Sequence, residues 1–135
     1  MRIVVTADSD DKSMNNEWIQ SFCKAMDVEI NYHDTNTKIS AVNADIPVEG
    51  WDYLILVSDD MVCIQNNWNE SVEKVFEDTK KGVIWFDDGL NHHLDTFCVM
   101  TKEYYDRFGY IYNPEYESVY CDNEFTSNQC MVQKV

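Results

Sequence analysis

Trp51 to Ser58 constrains this chain more than any other segment. Tyr53-Leu54-Ile55-Leu56-Val57 puts apolar residues on both faces of one extended run. A strand buried on both faces reads this way in the middle of a parallel sheet. Other segments alternate with it in type. Arg2 to Thr6 is a short β-branched strand entering the acidic loop Ala7-Asp8-Ser9-Asp10-Asp11. Trp18, Ile19, Phe22, Cys23 and Met26 recur at helical spacing, with Ser13 as the expected cap. Val28 to Tyr32 alternates as a strand, and Ile39, Val42 and Ile46 suit a short helix ended by Pro47. A helix from about Trp68 to Lys80 precedes strands at 83–86 and 97–100, then a short helix over 102–108 closed by Gly109. Strands alternating with helices predict a single α/β domain over residues 1–135, with a mostly parallel sheet flanked by helices.

Composition narrows the function. Hydrophobic residues make up 44% of the chain and aromatics 13%, enough for one core. There are 25 acidic residues against 10 basic, a formal charge of −15. That excludes the clustered Lys and Arg a nucleic-acid binder needs, and an anionic membrane repels such a surface. Most carboxylates serve solubility; a tight pair has the further potential to hold a cation or a basic partner. Five cysteines, an odd number without C-x-x-C spacing, point to reduced thiols and a cytoplasmic protein. No apolar run matches a signal peptide or the roughly 20 residues of a spanning helix, so no membrane insertion is expected.

The strand at 51–57 ends in Ser58-Asp59-Asp60-Met61. Open α/β sheets bind ligands at the carboxyl ends of their strands, and paired carboxylates there suit Mg²⁺ or Mn²⁺. Taken alone, the pair reads better as a polar turn. His92 and His93 near Asp95 form a weaker ligand set, and Cys121 has no His near it in sequence. Trp18 and Trp85 fall on core-facing patterns, whereas Tyr110, Tyr112, Tyr116 and Tyr120 crowd a segment suited to stacking on a ligand. Asp87-Asp88-Gly89 reads as a turn.

Several motifs occur in a telling order: Val4 to Asp10, Thr37 to Ile46, Trp51 to Met61, Leu94 to Met100, Phe108-Gly109-Tyr110 and Tyr120 to Thr126. Together they resemble the large inverting family of GT-A glycosyltransferases, the nucleotide-diphospho-sugar transferases. The resemblance implies that Asp8 or Asp10 meets the nucleoside and that Lys38 or Asn43 lines the same pocket. It implies that Asp60, with Asp59 beside it, holds Mn²⁺ or Mg²⁺ against the diphosphate of a nucleotide sugar. Asp122 would be the catalytic base toward a hydroxyl acceptor of unknown identity. The acceptor-side segments are compressed, and the chain stops soon after Asp122, where the family continues with a helix and often a metal-binding His. With those departures the resemblance implies a reduced relative that binds the nucleotide sugar and, if active, transfers the sugar to that hydroxyl. The alternative is a non-catalytic acidic module that binds a basic protein. A second copy is the expected cover for an open sheet edge, making a homodimer.

Overall fold

A computed structural model describes residues 1–58, 60–62, 66–79, 82–85, 93–95, 98–128 and 133–134. Asp59, Cys63, Phe86, the Asp87-Asp88-Gly89 turn, His92, Phe97 and Cys130 lie outside the described residues.

The chain opens with a βαβ unit. Strand β1 (Ile3–Asp8) pairs in parallel with β2 (Val28–His33), and helix α1 (Glu17–Ala25) connects them. The cap of α1 is Asn16, not Ser13: the Asn16 carboxamide accepts from the Trp18 and Ile19 N–H groups, both at 3.1 Å. Ser13 instead donates its N–H and hydroxyl to Asp11, closing an Asx turn. Helix α2 (Lys38–Ala44) starts at Thr37, whose hydroxyl and main chain exchange hydrogen bonds with Ser40 in a capping box.

The second sheet overturns the expected architecture. It contains β3 (Tyr53–Ile55), β4 (Val83–Trp85), β5 (Cys98–Thr101) and β6 (Gln133–Lys134), in the order β3-β5-β4-β6. Both β3 and β4 run antiparallel to β5; only β6 is parallel to its neighbour β4. The sheet is therefore not mostly parallel, and β1 and β2 form a separate two-stranded sheet. The apolar run at 53–57 is an edge strand among the described residues. Its three strand residues are half-buried, and Val57 is exposed. The doubly buried strand is β5, where Cys98, Val99 and Met100 are all 0% exposed. Just twelve residues, 86–97, join β4 to β5. A parallel return needs at least that many for a crossover, usually built on a helix, and this segment has no amphipathic period.

Alternation along β5 divides the core. Val99 joins Ile84, Val72 and Phe76 beneath helix α3 (Trp68–Thr79). Cys98 and Met100 face the other way, onto Val83, Ile39 of α2, Tyr104 of α4 (Lys102–Tyr105), Ile111, Tyr112, and Phe125 of α5 (Cys121–Asn128). Because α2 also packs on β1, it is an element joining the βαβ unit to the larger sheet. Gly109, at φ +75°, ends the 102–108 turn and donates its N–H to Tyr105, a backbone shape that glycine adopts without cost. Trp85 is buried, but Trp18 is 70% exposed: the helical spacing places it on the apolar arc of α1, yet the sheet does not reach it.

Candidate functional site

The sequence-predicted residues fall into separate neighbourhoods. The first is the loop after β1. Asp8 is the last residue of that strand and accepts from the Thr35 hydroxyl at 2.6 Å; Asp10 is exposed nearby in sequence. Ser9 donates to Asp34, and Asn15 donates to the Ser9 carbonyl, so side-chain bonds hold the loop on β2. Behind it, Asp45 accepts from the Thr6 hydroxyl and lies 2.9 Å from His33 Nε2. Neither His33 nor Asp45 stands out in the sequence. The order hydroxyl–carboxylate–imidazole is not a nucleophile relay, since the imidazole would have to touch the hydroxyl. It ties β1 and β2 to the end of α2.

The second neighbourhood is where α2 meets α5. Asn43 is half-buried. Its carboxamide oxygen accepts from the N–H groups of Ile111 (2.8 Å) and Tyr112 (3.3 Å), and its NH₂ donates to the Tyr112 carbonyl (2.7 Å). That leaves one N–H for a ligand. Lys38 is exposed at the start of α2, and its charge reaches the Cys121 thiol at the start of α5. Asp122 is half-buried beside Cys121 and accepts from the Asn123 N–H. Tyr120, just before it, holds φ at +68°, a left-handed conformation that costs a non-glycine residue about 1 kcal/mol or more. Lys38 and Asn43 thus share α2, Asp122 stands on α5, and Asp8 and Asp10 lie on another loop. Asp60 is exposed just past β3, where Met61 donates its N–H to the Ser58 carbonyl.

Tyr112 does not present itself for stacking. It is buried edge-on against Phe125, with centroids 5.6 Å apart. Tyr116 packs against the same core, Tyr110 leans on Phe108, and Tyr120 is exposed. A cleft of about 20 Å³ lies between Tyr104, Phe108, Asn113 and Glu124; that admits a water, not a sugar. A wider hollow of about 450 Å³ opens at the starts of β1 and β2, the opposite ends from Asp8. Among the described residues no group of three His, Cys, Asp or Glu side chains is placed to hold a metal ion. None of their helices is long and apolar enough to cross a membrane.

Burial has a further consequence at this junction. Asp95, 0% exposed, receives the Thr126 hydroxyl oxygen as acceptor for its own N–H. Burial first, and the Asp95 charge second, push the Cys98 thiol well above its ordinary 9.0. Burial raises the Tyr112 phenol above 10.0, helped by Cys98, Cys121, Asp95 and Asp122. Cys121 is raised by burial and then Asp122, with Lys38 opposing. All three groups lose protons later in the folded chain than in the unfolded one. Their contribution to stability is therefore full below the ordinary thiol value and lost as pH climbs past it. Urea midpoints should agree between about pH 7 and 8 and fall by about pH 10. A flat profile across that range would refute the assignment.

No protein-family model matches the chain, and neither a curated protein nor a solved structure is found to be similar to it.

Proposed function

We propose that the chain binds a nucleotide sugar through Mn²⁺ or Mg²⁺, with Asp60 and its neighbour Asp59 as the protein ligands. The ordered motifs that resemble glycosyltransferases support this, while the antiparallel pairing of β3 with β5 departs from the sheet that the resemblance implies. The observation that carries it is positional: Asp8 closes β1 of the parallel βαβ unit, the strand end at which such units bind ligands, and exposed Asp60 lies past the end of β3. A hard divalent cation is commonly bound by one or two carboxylates, with water and ligand phosphates completing its shell. A site of that kind needs no third protein ligand. Lys38 and Asn43 stand on α2, with Asp8 and Asp10 toward the nucleoside.

When bound, the cation would stabilise negative charge on a departing diphosphate. In a transfer reaction Asp122 takes the proton of the acceptor hydroxyl, for which a carboxylate within hydrogen-bond reach suffices. The proposal sets the protein in the cytoplasm, supported by the free buried thiols Cys23, Cys98 and Cys121.

Calorimetry tests the binding. Nucleoside diphosphate with Mn²⁺ should bind, with affinity at least roughly tenfold lower in chelator or in Asp60→Ala. Absence of heat with the metal present, or equal affinity in Asp60→Ala, sinks the reading.

A further inference from the structure

The apolar arc of α1 is wider than the surface it covers. Cys23 is buried and Ile19 half-buried where the helix packs on β2. The adjacent stripe is left in water: Trp18, Phe22 and Met26, each one turn from the next, are 70%, 51% and 60% exposed. Trp18 and Phe22 stack on one another, their rings 5.7 Å apart and 14° from parallel. The Asn16 cap fixes the Trp18 main chain, and Met26 closes the helix with N–H bonds back to Phe22 and Cys23. The main chain beneath the stripe is therefore held at both ends. Isolated apolar residues on a surface are ordinary, but three large ones in register on a capped helix form the kind of face that docks a partner helix.

We infer that the Trp18–Phe22–Met26 stripe is a docking surface for a basic amphipathic helix of another protein. Charge selects this occupant. Between Arg2 and Asp34 lie seven acidic residues and three basic ones, and Arg2 is already paired with Glu29 at 2.5 Å. In sequence Glu17 and Asp27 flank the two ends of the stripe, and Lys24 is the one basic residue of the helix between them. A second copy would bring another −15 of charge, so like charges oppose self-association here. A helix with Leu-type anchors flanked by Lys or Arg gains from the apolar stripe and from the acidic balance of the surrounding chain together. The surface is distinct from the strand ends assigned to the nucleotide sugar.

The test uses the full chain and a synthetic helical peptide with Leu along one face and Lys on the other. A peptide of identical composition, scrambled to have no apolar face, is the control. Binding is read by fluorescence anisotropy of the labelled peptide. The expected result is saturable binding that weakens as salt rises, and is at least roughly tenfold weaker for the scrambled peptide and for Trp18→Ser/Phe22→Ser. The double variant keeps the charge and the Asn16 cap, and an unchanged urea midpoint verifies its fold; Met26→Ser provides a second, milder probe with a smaller loss in the same direction. Equal affinity in both variants, or equal affinity for the scrambled peptide, overturns the proposal. So does a dimer in sedimentation equilibrium that the double variant abolishes, or binding of neutral lipid vesicles through the same stripe in place of the peptide.

Discussion

Replacing Asn43 with Ala should lower the stability of the chain by about 3 kcal/mol, a large fraction of what a domain of this size has to lose. Three hydrogen bonds from one carboxamide reach the main chain of Ile111 and Tyr112, both buried. Alanine removes the partner and leaves two N–H groups and a carbonyl beside an apolar core, where each unsatisfied group costs about 1–3 kcal/mol. Asn43→Asp keeps the acceptor but sets a carboxylate against the Tyr112 carbonyl, so an intermediate loss of about 1–2 kcal/mol is expected. The measurement is the urea midpoint of each variant with no ligand present. An Asn43→Ala midpoint equal to that of the parent would show that the clamp carries no weight. A role for Asn43 toward a nucleotide would then rest on affinity alone. The two readouts separate because the clamp acts without ligand and a pocket residue acts only with it.

Asn43 also shows why part of the site was not legible in the sequence. A polar residue inside a short helix is a poor helix former, so its side chain is expected to be engaged. Nothing local distinguishes engagement with a ligand from engagement with a main-chain segment 68 residues away. The elements themselves were largely legible, because α1, β2 and α3 rest on local periodicities. Sheet order was not. The run at 53–57 looks apolar on both faces, yet Tyr53 turns its hydroxyl to Glu73 and Val57 is exposed. The strand that takes the centre is β5, a four-residue segment with a weaker pattern. Pairing partners are non-local, and hydrophobicity along one strand does not record which neighbour lies beside it. Trp18 follows the same logic: spacing puts it on the arc of Ile19 and Cys23, but the sheet decides which edge of that arc is covered. The acidic pair stayed ambiguous for another reason. Asp is favoured both in turns and around cations, so Asp60 carries the same signature in either role.

The centrality of β5 sets the second large effect: Met100→Ala should cost about 2–5 kcal/mol. Met100 is 0% exposed and lies opposite Leu54 on one neighbour and Val83 on the other. Its side chain belongs to the cluster that contains Ile39, Tyr104, Ile111 and Phe125. Truncation opens a cavity where strands and helices from four parts of the chain converge, and main-chain pairing on both sides of β5 limits how far the site collapses. Met100→Leu conserves most of the volume and should cost less than about 1.5 kcal/mol. Because Ile39 links this cluster to α2, and α2 packs on β1, the loss should be global and should not be confined to the larger sheet. Far-UV circular dichroism and tryptophan fluorescence should therefore report one shifted transition for Met100→Ala, as expected of a cooperative domain. Two separated transitions would mean that the βαβ unit unfolds on its own and that α2 does not couple it to the sheet. An alanine variant as stable as the leucine one would remove β5 from the centre of the core.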